Sequence, residues 1–168
     1  LLPPDYRNWT FKGTGGLDVE SEGRQAGGAT VWKAAAVVDL KQGGFASPDS
    51  SKAGERITGR IELKLGSPEK GRPGDFAMTL EGSGGELLWG TYYQDFKGEK
   101  LRVVSRGAFA RNPFSLSSKG TFDLFQTGDY VFSSEWKPDH SVFFLDARGV
   151  SCSRLFRLAL QNYVAQNY

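Results

Sequence analysis

Residues 56–64 read Arg56-Ile57-Thr58-Gly59-Arg60-Ile61-Glu62-Leu63-Lys64, an almost strict alternation of polar and apolar side chains. Successive side chains of a β-strand point to opposite faces of a sheet. The stretch therefore predicts one strand that is apolar on one side and hydrated on the other. Its apolar side consists of Ile57, Ile61, Leu63 and Leu65, with Gly59 between them.

The same alternation recurs along most of the chain. A short strand is predicted over 17–22, and the longest over 30–41. The apolar side of the longest strand carries Trp32, Ala34, Ala36, Val38 and Leu40. Glycine-containing turns follow each segment and no helices intervene, which predicts a mainly β protein built as an antiparallel meander. Alternation alone leaves open whether the sheet forms a curled groove or closes into a barrel.

Aromatic residues crowd one segment, from Leu87 to Phe96. As a single strand it would carry Trp89 and Tyr93 on one side and Tyr92 and Phe96 on the other. We expect both sides of this strand to contact apolar material. The run Gly82-Ser83-Gly84-Gly85 before it predicts a flexible turn.

The periodicity changes at the C-terminus. The run Ser151-Cys152-Ser153 offers an N-cap, and apolar residues then recur at spacings of three and four, which predicts an amphipathic helix over 151–168. The simplest role for this helix is a lid on an open end of the sheet. The alternative is a helix on a membrane surface, for which two arginines are few. We expect residues 1–168 to form a single β-rich domain, cut from a longer chain because it opens without methionine or a signal-peptide pattern.

Composition narrows the function classes. The net charge is +2 with both signs interspersed, so nucleic-acid binding has no electrostatic footprint. The single cysteine, Cys152, allows no intrachain disulfide and no thiolate zinc site. The single histidine, His140, follows Pro138 and Asp139 in a turn-like run. We find no catalytic, metal-binding or cofactor-binding motif, and predict a non-enzymatic protein without a cofactor.

The hydrophobic strand sides are the remaining candidate site. Two explanations stay open: they form the core of a closed barrel or sandwich, or they line a groove for an apolar ligand. The residues predicted to line this interior are Trp32, Val38, Ile57, Ile61, Leu63, Leu65, Trp89, Tyr92 and Phe96.

Three segments, 31–48, 53–63 and 144–158, together resemble the repeats of AsmA-like proteins of Gram-negative bacteria, including the TamB and YhdP types. Gly59-Arg60-Ile61-Glu62-Leu63 has the Gly-x-Ile/Leu-x-Leu form of strands in that group. The resemblance implies a periplasmic, membrane-anchored protein whose β-groove conducts phospholipid acyl chains between membranes. The chain lacks the N-terminal membrane helix of that family and is much shorter, so any membrane association would come from segments outside it.

Three functional hypotheses follow. The first is binding or transfer of lipid or another apolar molecule in the cell envelope. The second is a structural or interaction domain whose apolar faces pack against protein and bind nothing small. The third is a carbohydrate-binding β-sandwich in which Trp and Tyr side chains form a platform for sugars.

Overall fold

A computed structural model describes residues 7–26, 28–69 and 72–157. Ten β-strands account for most of them, and one short helix, α1, covers 152–157. The strands are β1 (Thr10–Ala26), β2 (Ala29–Ala46), β3 (Lys52–Gly66), β4 (Gly74–Ser83), β5 (Glu86–Trp89), β6 (Tyr92–Asp95), β7 (Lys100–Arg111), β8 (Phe114–Leu124), β9 (Asp129–Trp136) and β10 (Ser141–Arg148). The predicted mainly β fold is confirmed.

The strands form one open antiparallel sheet in the order β1-β2-β3-β4-β7-β8-β9-β10. β5 and β6 form a hairpin outside this order, in which β5 extends the sheet along the first residues of β3. β1 and β10 are the two edges, and the sheet does not close. Within the described residues each strand contacts only the strands to which it is hydrogen-bonded, so the sheet is a single layer.

The strand registers set apolar residues of each strand opposite apolar residues of the next strand. Val38 lies opposite Leu17 on one side and Ile61 on the other, and Ile61 lies opposite Leu80, which in turn faces Val103. Directly opposed residues project from the same side of an antiparallel sheet. One continuous face is therefore apolar, and the other carries most of the charges.

Phenylalanine rings lie over glycines of the neighbouring strand on the apolar face. Four such cross-strand pairs occur within the described residues: Phe45 with Gly54, Phe76 with Gly107, Phe109 with Gly74, and Phe132 with Gly120. A Cβ added to any of these glycines would lie 2.5–2.9 Å from a ring carbon of its partner. The missing side chain thus leaves the space in which the ring lies down on the sheet.

The best-buried polar side chains lie at one end of the sheet, here called the hairpin end, where β3 begins and the β5–β6 hairpin is attached. Gln94 and Thr127 are fully buried there. The Thr127 hydroxyl lies 2.6 Å from the Leu124 carbonyl oxygen and 3.0 Å from the Tyr130 hydroxyl. These bonds satisfy the Thr127 hydroxyl without access to water.

Helix α1 is attached at the hairpin end. Its N-cap is Ser151, whose Oγ accepts a hydrogen bond from the backbone N–H of Arg154 at 3.4 Å, as the sequence predicts. The Arg154 guanidinium lies 3.2 Å from a Glu99 carboxylate oxygen. Phe156 is exposed, so the described turns of the helix do not cover the sheet with it. The rest of the predicted helix, 158–168, lies outside the described residues.

Two predictions for the aromatic segment are wrong. Residues 87–96 form a hairpin, not one strand: the chain reverses at Gly90 and Thr91, which sets Trp89 opposite Tyr92 on the same side. The chain does not reverse at Gly84 and Gly85, because β4 and β5 both run antiparallel to β3. Positive φ angles of 63° and 94° at these glycines, and of 54° at Arg56 across from them, mark a break between two successive partners of β3.

The strand predicted over 17–22 is also longer than the alternation indicates. β1 begins at Thr10, with a register shift between Lys12 and Thr14 where Gly13 has a φ of 128°. Phe11 lies in the same alternate row as Leu17 and Val19, but Gly13 and Gly15 occupy that row between them. The two missing side chains hide the first third of the strand from a period-two pattern.

We expect Gly120→Ala to destabilise the protein by about 1–3 kcal/mol, because the added methyl would overlap the Val104 carbonyl oxygen and the Phe132 ring. Gly16→Ala is the matched control, since its methyl would meet nothing within 4 Å. The control should change stability by less than about 1 kcal/mol, in the stabilising direction. Urea unfolding of both variants measures the difference, and equal effects would contradict the role of the ring over Gly120.

Candidate functional site

The apolar face crosses all eight long strands. It is defined by one row of alternating side chains from each strand: Leu17 and Val19; Trp32, Ala34, Ala36, Val38 and Leu40; Ile57, Ile61, Leu63 and Leu65; Phe76, Met78 and Leu80; Leu101, Val103 and Phe109; Leu116, Phe122 and Leu124; Tyr130, Phe132 and Trp136; Phe143 and Leu145. Each row continues the row of the neighbouring strand without a change of side.

No second layer covers this face within the described residues. Tyr130 is the one hydrophobic residue among them that is buried. Val38 and Ile61, which a globular protein would bury completely in the middle of a sheet face, are 40% and 38% exposed. Monomeric proteins rarely leave such a contiguous apolar surface to water, and those that do use it to bind a partner or ligand.

Few polar groups interrupt the apolar face. Ser118 and Ser134 lie opposite each other on β8 and β9, and their hydroxyl oxygens are 2.8 Å apart. Ser105 on β7 is buried among apolar neighbours. Because the Ser118 and Ser134 hydroxyls bond each other, they do not compel a ligand to supply hydrogen-bonding groups.

Six of the predicted site residues lie on the apolar side of β2 and β3. Trp32 and Val38 come from β2, and Ile57, Ile61, Leu63 and Leu65 come from β3. The register sets Val38 against Ile61, while Leu63 and Leu65 face Ala36 and Ala34. The register therefore brings these six residues to one side of the sheet.

Trp89 and Tyr92 belong to an aromatic cluster at the hairpin end. Trp9 stacks on Phe45 with ring centroids 5.7 Å apart and lies 6.4 Å from Trp89. Tyr92 faces Trp89 across the hairpin, and the Lys52 ammonium lies 4.8 Å from the centre of the Trp89 ring. A cation over an indole face adds electrostatic attraction to the apolar contact.

Phe96, the ninth predicted site residue, lies apart from the other eight. It follows β6 and stacks on Phe125, with ring centroids 5.0 Å apart. Its backbone N–H donates to the Gly85 carbonyl oxygen at 2.9 Å, which ties the hairpin to the break after β4. Phe96 therefore contributes to the packing of the hairpin end.

Charge pairs cross the opposite, polar face. Arg60 on β3 lies 3.0 Å from Asp39 of β2 and 2.9 Å from Glu62, and Arg102 of β7 lies 3.0 Å from Glu81 of β4. The Arg60 guanidinium donates hydrogen bonds to the carboxylates of Glu62 and Asp39, and these bonds raise the pKa of Arg60 above its ordinary value. Exposed pairs of this kind add little stability individually.

Surface depressions on the polar face follow the gaps between rows of side chains. One of about 360 Å³ is bordered by the charged pairs above and by Lys41, Thr58, Ser83 and Lys100. It is an open trough with the backbone at Gly59 and Gly82 as its floor.

Partial burial raises the pKa of the Tyr93 hydroxyl, and the neighbouring carboxylates of Glu86 and Asp95 raise it further.

Sequence analysis missed two parts of the site. Trp9 and Phe45 join the aromatic cluster through contacts between distant segments, for which the sequence carries no local signal. The apolar rows of β4 and β7–β10 do carry a signal, since Phe76, Met78 and Leu80 or Phe143 and Leu145 alternate in the same way as Ile61 and Leu63.

No protein-family model, curated protein or solved structure matches this chain. Among the residues that the structure describes, no helix is both long enough and apolar enough to cross a membrane. The same residues contain no group of three or more His, Cys, Asp or Glu side chains placed to hold a metal ion.

An uncovered apolar face should bind the neutral dye Nile red in the native state. Val38→Lys puts a charge on that face between Leu17 and Ile61 and should lower dye fluorescence. Val37→Lys is the matched control on the polar face, where the new lysine lies opposite Asp18 and Glu62. Equal fluorescence from both variants, with unchanged circular dichroism, would show that the dye does not bind this face.

Proposed function

We propose that this protein binds lipid, or a similarly apolar molecule, on the apolar face of its sheet and catalyses no reaction. The observation that carries the proposal is the continuous row of apolar side chains across all eight long strands, which no second layer covers within the described residues. The interaction requires no specific chemistry, since removing apolar surface from water is favourable in itself.

The magnitude of this effect fits an acyl chain. Each buried CH₂ group gains about 0.8 kcal/mol relative to water, so a chain of roughly 16 carbons that is half covered gains about 6 kcal/mol. An open face covers one side of such a chain, which leaves the ligand able to leave again. That property suits transfer better than permanent storage.

The resemblance to AsmA-like proteins supports a more specific version of the proposal. In that version the ligand is a phospholipid, the location is the periplasm or cell envelope, and the face forms part of a path for acyl chains between membranes. Membrane attachment would then be supplied by segments outside this chain.

An interaction domain is the second candidate, and one observation favours it. β10 is apolar on both of its sides, with Val142 and Phe144 exposed on the face that carries most of the charges. A lipid on the apolar face would leave these two side chains in water. A protein partner at this edge would cover them, and the two functions are compatible.

A platform for sugars has less support. Trp32 and Trp136 lie at the end of the sheet opposite Trp89, and the Trp9 and Trp89 ring planes are 50° apart. Sugar rings stack on aromatic faces that lie side by side in one plane, which these side chains do not provide.

Two measurements test lipid binding. Native mass spectrometry of the freshly purified protein should reveal co-purified lipid, and a fluorescent phospholipid should bind saturably with micromolar or better affinity. Trp32 and Trp89 should report binding through changed emission, because both are partly exposed on the apolar side.

Leu63→Glu should abolish uptake, because it places a carboxylate in the middle of the apolar face. Thr58→Glu is the control, since it adds the same carboxylate on the polar face of the same strand, opposite Ser83. The absence of both co-purified lipid and saturable uptake by the unmodified protein would refute lipid binding and leave the interaction domain as the function.

A further inference from the structure

Strand β10 carries four consecutive apolar residues, and all of them are exposed. Phe143 and Leu145, on the apolar face, are 63% and 46% exposed; Val142 and Phe144, on the polar face, are 55% and 61% exposed. A run that is apolar on both sides is typical of a strand covered on both sides. In β10 neither side is covered by described residues.

β10 is also an edge of the sheet. Within the described residues it pairs only with β9, so the backbone N–H and C=O groups of its outer side have no strand to bond. Natural edge strands are usually protected by charged residues, proline or a bulge. The run from Val142 to Leu145 has none of these, and its register with β9 is regular.

The other edge, β1, carries more charge than β10. Its polar side carries Asp18, Glu20 and Glu22 in alternate positions, all exposed. Antiparallel pairing of two copies of β1 around Glu20 would set each of these carboxylates opposite another carboxylate. Like charges directly opposite each other destabilise a strand pair, so this register of a β1 pair is disfavoured.

We propose that β10 is a dimerisation edge, at which a second copy of this chain adds its own β10 in antiparallel register. Registers centred on Phe143 or on Phe144 set no like charges opposite each other along the strand. In the first, Val142 lies opposite Phe144 of the partner subunit, which brings the exposed apolar side chains of the polar face together. Cross-strand pairs of aromatic and β-branched residues are among the favourable ones in sheets.

The symmetry of this pairing fits a closed dimer. A two-fold axis perpendicular to the sheet would relate the two copies, so the interface between them is isologous. Such an interface uses one edge of each copy, and the assembly stops at two copies. It also keeps the two apolar faces on the same side, so that they form one surface of twice the width. Head-to-tail pairing of β10 with β1 of another copy would instead bring Glu20 and its acidic neighbours to Val142 and Phe144, and would propagate into filaments.

Sedimentation velocity across a concentration series tests the proposal on the full chain. The expected result is a monomer–dimer equilibrium in the micromolar range. Phe144→Lys should weaken association at least tenfold, because it sets two ammonium groups near each other at the paired edge. Val131→Lys is the matched control: Val131 is also on the polar face and 47% exposed, but β9 has a neighbour on both sides. This control should leave association unchanged.

Hydrogen exchange identifies the edge independently. Amides of β10 should become more protected as protein concentration rises, while those of β1 should not. A chain that stays monomeric at 100 μM would overturn the proposal, and so would a dimer that Phe144→Lys leaves intact or an open-ended assembly. A monomer whose outer β10 amides are already protected would overturn it as well, because the chain itself would then cover the strand.

Discussion

The contact between a phenylalanine ring and a glycine on the next strand is the interaction on which this sheet depends. A single-layer sheet has no opposing layer against which to bury its apolar side chains, so it must cover itself. With no Cβ at Gly54, Gly74, Gly107 and Gly120, the partner rings lie flat across the strands. Each ring then covers backbone as well as side chain, an arrangement known from designed and natural sheets as aromatic rescue of glycine.

The lack of a second layer explains why large apolar side chains in this sheet stay partly exposed. The middle strands carry large apolar side chains at alternate positions, yet almost none of them is buried. The backbone of the sheet and the neighbouring side chains shield these phenylalanine rings on all but one side. The ring face that points away from the sheet stays accessible to solvent. The fold is therefore held together by contacts between neighbouring strands, and no described residue forms a second layer on its apolar face.

Much of the fold follows from sequence because alternation is a local property. The strand around Ile61, its apolar side and its polar side could be predicted from nine residues. The pairing of Phe132 with Gly120 could not, since glycine within a strand has the same local signature as glycine in a turn. Gly84 and Gly85 show this ambiguity most clearly: their positive φ angles accommodate a break between two partners of β3, whereas the hairpin forms at Gly90 and Thr91.

In the candidate site, too, some residues could be placed from local sequence and others could not. Val38, Ile61, Leu63 and Leu65 could be assigned to one side because β2 and β3 both alternate regularly and are joined by a short connection. The error at Tyr92 arose because a reversal of chain direction put it on the same side as Trp89. Trp9 reaches the cluster from a segment that is distant in sequence, and its contact with Phe45 depends on the shifted register of β1.

Contacts restricted to hydrogen-bonded neighbours make this molecule nearly one-dimensional, in the sense used for solenoid proteins. In such an architecture the free energy of folding is approximately the sum of each strand's own stability and the interaction energies between neighbouring strands. Folding can begin at any strand and extend to its neighbours. Most neighbours here are also adjacent in sequence, which keeps loop-closure costs low during folding. Insertion or loss of a complete hairpin would change the width of the sheet while preserving every remaining contact, so evolution can adjust the extent of this surface in units of two strands.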